Sequence, residues 1–152
     1  TCYILAKLLN QKNNLLVVTN NLSAVSELIQ NVDKVLLIGG EVSTVDNMTY
    51  FSSVRNPSQQ LESVFVNKAF TSCSGIDLKA GITVNSIIST YIYKAIPDIK
   101  RQWFMMIDDQ KYQKIGMYQV CSTNSLDCII SNEIPKEYLA YFDSNNIQYI
   151  TL

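Results

Sequence analysis

Histidine is absent from all 152 residues. Its absence removes the most common general base, and with it the Ser-His and Cys-His pairs of nucleophilic catalysis. Any chemistry would have to run on carboxylates, lysine or tyrosine. Charge is also scarce: 12 Lys and Arg against 13 Asp and Glu give a net charge of −1, and no basic run occurs anywhere. Gripping a phosphate backbone takes clustered Lys and Arg, so this segment alone is a poor candidate for holding nucleic acid. Nowhere do about twenty apolar residues follow one another, the length a membrane-spanning helix needs. There is no signal-peptide pattern either, and no membrane partner is expected. The four cysteines, Cys2, Cys73, Cys121 and Cys128, match no zinc spacing and have no His to complete a set. The expectation is reduced, partly buried thiols in a cytoplasmic protein, with no metal and no cofactor. Internal repeats and low-complexity linkers are missing as well.

What is present is a repeated unit of an apolar run that stops in a short polar loop. Leu15-Leu16-Val17-Val18 ends in Thr19-Asn20-Asn21, and Val35-Leu36-Leu37-Ile38 in Gly39-Gly40-Glu41. Val64-Phe65-Val66, resuming at Ala69-Phe70, ends in Thr71-Ser72-Cys73-Ser74-Gly75. Trp103-Phe104-Met105-Met106-Ile107 ends in Asp108-Asp109-Gln110-Lys111, and Cys128-Ile129-Ile130 in Ser131-Asn132-Glu133. A short run that is apolar without alternation fits a strand covered on both faces. Loops after such strands lie at the carboxyl edge of the sheet, where open α/β sheets bind ligands.

Helical patterns alternate with these runs. Residues 2–10 carry Ile4, Leu5, Leu8 and Leu9 on one face, and residues 21–30 carry Leu22, Val25, Leu28 and Ile29, with Asn20 or Asn21 able to cap. A third helix is expected within 50–62, with limits blurred by Pro57. A fourth is expected over 85–96, ended by Pro97, and a fifth over 135–145 with Pro135 as its first residue. Tyr149-Ile150 reads as a last short strand, and further short strands are expected near 42–45, 80–84 and 117–121. Strand and helix alternating through short connections imply right-handed βαβ units. The expected fold is therefore α/β, one domain over 1–152, with a mainly parallel sheet.

The loops supply the candidate ligand contacts. Thr19 and Asn20 offer a hydroxyl and an amide to a ligand, or a helix cap. Gly39 and Gly40 let a backbone turn sharply and a ligand approach, or make a plain turn. Ser72, Ser74 and Gly75 fit an anion nest built from main-chain N–H groups, or a solvated turn. Lys111 supplies one positive charge for a phosphate, or a surface ion pair with Asp108. Thr1 opens the first helix, whose N-terminus favours anions. The chain begins without Met on the first turn of an apolar helix, so a strand and loop are expected to precede it.

With these motifs in order, the chain resembles the C-terminal effector domain of the DeoR family of bacterial transcriptional repressors, over essentially its whole length. The family's Val-Val-Thr-Asn strand end is matched by Val17-Val18-Thr19-Asn20, and its Gly-Gly-Glu loop by Gly39-Gly40-Glu41. Asn67-Lys68-Ala69-Phe70 matches Asp-Lys-Ala-Phe, Ser74-Gly75-Ile76-Asp77 matches Ser-Gly-Ile-Asp, and Gly81-Ile82-Thr83 matches Gly-[Leu/Ile]-Thr. Asp108-Asp109-Gln110-Lys111-Tyr112 matches Asp-x-x-Lys-[Phe/Tyr], and Leu126-Asp127-Cys128-Ile129-Ile130-Ser131 matches a later strand in part. Of the opening Asp-x-Gly-[Ser/Thr]-Thr loop, only Thr1 would remain.

The resemblance implies a three-layer Rossmann-like fold with helices on both faces, shared with ribose-5-phosphate isomerase and glucosamine-6-phosphate deaminase. It also implies a sensor that binds a phosphorylated sugar and, as a homo-oligomer, tunes operator DNA binding by an N-terminal winged helix-turn-helix. Phosphate would meet the Ser72–Gly75 loop, Thr1 and Lys111. Sugar hydroxyls would meet Thr19, Asn20, Asp108 and the Gly39-Gly40 backbone. The apolar faces near 85–96 or 135–150 are candidate subunit contacts. One departure stands out: the family carries a Glu and a Lys two apart on the helix after Gly-[Leu/Ile]-Thr, where this chain has Tyr91 and Tyr93, with Lys94 one step along. The two tyrosines either change the ligand or simply pack. The competing classes are a sugar-phosphate isomerase or deaminase using Asp77 or Asp108 as base, and a degenerate domain kept only for oligomerisation.

Overall fold

The computed structural model describes residues 1–9, 12, 14–30, 32–39, 41–42, 49–50 and 60–152. The chain divides into two compact units, Thr1–Gln60 and Leu61–Leu152. The fold is mixed α/β, and the strands that carry the candidate loops pair in parallel.

In the first unit, α1 (Cys2–Leu8) precedes β1 (Leu16–Thr19), α2 (Leu22–Leu28) and β2 (Lys34–Leu37). Strands β1 and β2 pair in parallel, with Thr19 opposite Leu37, as expected of consecutive strands joined by a helix. Asn21, rather than Asn20, caps α2: its side chain accepts from the Ala24 N–H at 3.2 Å. The small core joins Ala6 to Ala24 and Leu28, with Tyr3, Leu9, Val17, Val32 and Val35 against it. Alanine at both contact positions lets α1 and α2 approach closely. This packing takes Leu9 of the expected face of α1 but leaves Ile4 and Leu8 exposed. Tyr3 adds a hydrogen bond to Glu27 at 2.9 Å. A two-residue antiparallel pair, β3 (Glu41–Val42) with β4 (Thr49–Tyr50), follows. The helix expected within 50–62 falls mostly outside the described residues, of which Gln60 and Leu61 are helical.

The second unit holds β5 (Val66–Thr71), β6 (Gly75–Asp77), β7 (Gly81–Val84), α3 (Ile87–Ile99), β8 (Lys100–Ile107), β9 (Tyr118–Cys121), β10 (Cys128–Ser131), α4 (Lys136–Ser144) and β11 (Gln148–Thr151). A four-stranded parallel sheet runs in the order β11, β10, β8, β5, and a three-stranded antiparallel sheet in the order β6, β7, β9. The apolar runs with both neighbours in place, in β10 and the second half of β8, are the buried ones. At the edge, β5 holds only half-buried and exposed residues, and Phe65 just before it is 84% exposed. Trp103, Met105, Ile129 and Phe142 are fully buried and meet Ile76 and Ile82 of the antiparallel sheet. Each side chain of that size stabilises the fold by roughly 1.5–3 kcal/mol.

Two local expectations change. Pro97 does not end α3, which continues to Ile99 before the Lys100 N–H donates to the Ile96 carbonyl. The ring deletes one donor, but its fixed φ near −65° is helical, so a last partial turn is compatible with it. The expected loop over 71–75 is also shorter, because Gly75 already begins β6. Helix α4 starts at Lys136 with Pro135 as its cap residue, and the Pro135 carbonyl accepts from Tyr138 and Leu139. None of the described helices is long and apolar enough to cross a membrane.

Candidate functional site

Parallel pairing of β5 with β8 and of β8 with β10 sets three loops side by side at the carboxyl edge of the four-stranded sheet. They are the segments 72–74, 108–111 and 132–133.

Fixed contacts hold the first loop from behind. The Trp103 indole N–H donates to the Thr71 hydroxyl at 2.8 Å, and that hydroxyl lies 3.6 Å from the Met105 sulfur. The Tyr93 hydroxyl donates to the Ser72 carbonyl. The Ser74 N–H donates to the Thr83 carbonyl at 2.9 Å, and the Thr83 hydroxyl donates to the Gly75 carbonyl at 3.0 Å. The Ser74 N–H is thus engaged by β7, so the loop is not an open nest of main-chain donors. The Ser72 and Ser74 side chains remain half-buried at its rim. Gly75 is required sterically: a Cβ there would lie 2.2 Å from the Lys114 carbonyl oxygen.

The second loop is a single 3-10 turn, Asp109–Lys111. The Asp108 carboxylate accepts from the Gln110 N–H at 3.1 Å, and the Asp108 carbonyl accepts from the Lys111 N–H at 3.1 Å. The turn carries Lys111, half-buried, back toward the first loop. The Cys73 thiol lies within reach of charges on this turn. Burial pushes its thiol up to about 12, while the Lys111 ammonium and a hydrogen bond from the Gly75 backbone pull it down, and Cys121 and Asp108 push it up. A surface ion pair between Lys111 and Asp108 is not formed; the ion pairs among the described residues are Lys7–Glu27 and Lys100–Asp127.

The third loop is tied to the second by Asn132. Its side-chain carbonyl accepts from the Asp109 N–H at 2.9 Å, and its amide donates to the Asp109 carboxylate at 2.9 Å. This pair was not anticipated from sequence, where Asn132 read only as a loop residue.

In the first unit the loops after β1 and β2 adjoin. The Thr19 hydroxyl accepts from the Asn21 N–H at 3.1 Å, and the Thr19 carbonyl accepts from the Ile38 N–H at 2.9 Å. Asn20 follows, half-buried. Gly39 has φ 133°, a value that favours glycine, and its N–H donates to the Gln60 side chain at 3.2 Å. Gly40 lies outside the described residues. Thr1 is exposed, and its carbonyl starts α1 by accepting from Ile4 and Leu5.

Of the two carboxylates considered as bases, Asp77 closes the β6–β7 turn. It accepts from the N–H groups of Lys79 at 2.9 Å and Ala80 at 2.7 Å, and these bonds hold its carboxyl below the usual range. A general base acting near neutral pH needs the opposite shift. The tyrosines on α3 part ways: Tyr91 is 45% exposed, whereas Tyr93 packs on the core and reaches Ser72.

Comparison with known proteins identifies the family to which the chain belongs. Residues 1–133 match the model of the DeoR C terminal sensor domain. The HTH-type transcriptional regulator IolR of Bacillus subtilis is 23% identical over 142 residues, covering 91% of this chain and 55% of that protein. The L-fucose operon activator of Haemophilus influenzae is 19% identical over 135 residues, 88% of this chain and 53% of the relative. An uncharacterized HTH-type transcriptional regulator of the same organism is 29% identical over 147 residues, 95% and 56% of the two chains. The chain therefore spans about half the length of the curated relatives it matches.

Proposed function

We infer the function of this chain from its family: it belongs to the DeoR C-terminal sensor domains, matched over residues 1–133. The chain is the ligand-sensing part of a cytoplasmic transcriptional regulator, and its effector is a phosphorylated sugar. The phosphate meets Lys111 and the hydroxyls of Ser72 and Ser74, and Asp108 meets a sugar hydroxyl. The observation that carries this reading is that parallel pairing of β5 with β8 sets the 72–74 loop, with its hydroxyls, beside the 108–111 loop, with Lys111, at the carboxyl edge of the sheet. Lysine is the only cation in these loops, and an anion with hydroxyls is the ligand class that such a set accommodates. A relative named for activating an L-fucose operon fits a sugar-derived ligand.

Operator DNA is bound by a separate N-terminal domain of the regulator, and the sensor acts as a homo-oligomer. The exposed apolar residues Ile87 and Tyr91 of α3, and Ile150 of β11, support the latter. Control is by linkage: the ligand shifts DNA binding only by its difference in affinity between two arrangements of the oligomer.

The test is a thermal-shift screen against sugar phosphates, with the unphosphorylated sugars as controls. One phosphorylated sugar should raise Tm saturably, by the equivalent of about 2.7 kcal/mol at a hundred times its Kd. Lys111→Ala should abolish the rise without lowering the Tm of the free protein. A response equal for sugar and sugar phosphate, or none to any compound, would overturn the reading. Turnover of a sugar phosphate during the screen would replace it with an enzyme.

A further inference from the structure

Through the Tyr93 hydroxyl, α3 takes hold of the main chain of the candidate phosphate loop at Ser72. Tyr93 sits in the middle of α3, packs edge-on against Trp103 with ring centroids 6.2 Å apart, and donates its hydroxyl to the Ser72 carbonyl. Trp103 is itself fully buried, and its indole N–H holds Thr71 at 2.8 Å. One aromatic pair thus secures the last residue of β5 and the first residue of the loop. A peptide plane has two ends. Fixing the Ser72 carbonyl toward α3 also fixes the direction of the Cys73 N–H on the other end of the same plane, because the peptide is flat and trans. It also limits the ψ of Ser72, and with it the placement of its side chain relative to Lys111.

We propose that Tyr93 is a positioning residue of the effector site, holding the Ser72–Cys73 peptide in the orientation that the phosphate requires without touching the ligand itself. The proposal rests on the phosphate reading of the 72–75 loop. It assigns Tyr91 and Tyr93 different work: Tyr93 acts through the loop, and Tyr91, exposed on another part of the helix, does not. A helix shift that moves Tyr93 would then be felt at Ser72, and ligand binding at Ser72 would be felt on α3. Ordering of the loop before binding raises affinity by removing a cost otherwise met on binding.

Tyr93→Phe keeps the ring and removes only the donor, and Tyr91→Phe is its control. Amide hydrogen exchange of 72–75 is measured on the free proteins, alongside emission of Trp103, the single tryptophan. Inorganic phosphate and the panel of sugar phosphates are then titrated by calorimetry. Tyr93→Phe should speed exchange in 72–75 about tenfold with the rest of the second unit unchanged. It should weaken phosphate-bearing compounds at least fivefold, and Tyr91→Phe should do neither. Wild-type exchange in Tyr93→Phe overturns the proposal outright. Faster exchange with unchanged affinity also overturns it, since the loop would then be held but irrelevant to binding. If the wild-type protein binds no phosphate-bearing compound, the sensing reading fails and the positioning role fails with it. Normal binding by the wild type with wild-type behaviour of Tyr93→Phe would remove the positioning role alone.

Discussion

Lys100 and Asp127 meet at 2.5 Å at the amino ends of β8 and β10, and the same carboxylate oxygen accepts from the Trp103 N–H at 2.6 Å. The Asp127 N–H returns a bond to the Trp103 carbonyl at 3.1 Å, and the Asp127 carbonyl takes the Gln148 N–H. Asp127 therefore sets the register where three parallel strands begin, at the edge opposite the candidate site.

Asp127→Ala should destabilise the protein by about 1–3 kcal/mol, since it leaves the Trp103 N–H and a half-buried lysine without their acceptor. The side chain is 42% exposed, which argues for the lower part of that range. Chemical denaturation would show the loss. The response to effector should survive, because the pair lies at the amino ends of the strands and the 72–74 and 108–111 loops at their carboxyl ends. Loss of the response in a folded variant would contradict the separation of the two edges.

Gly75→Ala should be among the most damaging single-methyl changes in the second unit. The new Cβ meets the Lys114 carbonyl carbon at 2.5 Å as well as its oxygen, and both are backbone atoms, in the segment between the Ile76–Tyr112 bridge and β9. Overpacking of this kind costs typically about 1–3 kcal/mol. Gly81→Ala should be at least as costly, with φ +72° and the Cys121 carbonyl oxygen 2.4 Å from the added carbon. Both are read from Tm, and near-wild-type values would mean that the β6–β7–β9 sheet yields easily.

The Asp77 turn gives a signed pH effect. Its folded-state carboxyl titrates below the ordinary 3.8, first because of the Ala80 N–H and then the Lys79 N–H. Its contribution is present above the unfolded value and is lost as pH falls through the lower folded value. Asp77→Asn retains an oxygen acceptor for both bonds but not the titration. The variant should therefore show a shallower fall in stability on the acid side, measured as Tm between pH 5 and pH 2.5. An acid limb as steep as the wild type's would place that titration elsewhere.

The cysteines govern the alkaline side. Cys73 is pushed up to about 12 and Cys121 to about 11, in both cases first by burial, from 9.0 in the open chain. The raised values favour the folded state fully below pH 9 and progressively less above it, as the unfolded thiols ionise and the folded ones do not. Stability should thus decline between pH 9 and 11. Cys73→Ser/Cys121→Ser should weaken that decline relative to its own neutral-pH value. Alkylation of Cys73 by iodoacetamide at pH 8 should also be far slower than that of a free thiol, because the thiolate is the reactive form.

Much of the frame was legible in the sequence. The runs at 15–18, 35–38, 103–107 and 128–130 announced parallel strands because a strand flanked by neighbours needs apolar residues on both faces. β1, β2, β8 and β10 follow them to within a few residues. Helix faces were less legible. Ile4, Leu5, Leu8 and Leu9 made the apolar stripe on α1, yet the helix buries Ala6 with Ala24 and Leu28 and takes Leu9 against them, leaving Ile4 and Leu8 exposed. Strand β6 was hidden because Gly75-Ile76-Asp77 is too short for a period, and only pairing with β7 makes it a strand.

The candidate site divides along the same line. Sequence alone determined the chemical inventory of the loops: no histidine, a lysine at Lys111, and hydroxyls and glycines after apolar runs, on which the proposal of a small anionic ligand rests. The order of those motifs also determined the family. Tertiary structure decided which groups remain available. The Ser74 N–H is engaged by Thr83, Asp108 serves as a turn cap, Asn132 bridges two loops, and Tyr93 holds Ser72. Hydrogen-bond partners across 9 residues (Ser74–Thr83) or 21 (Ser72–Tyr93) are set by strand order and helix packing, which local spacing does not encode.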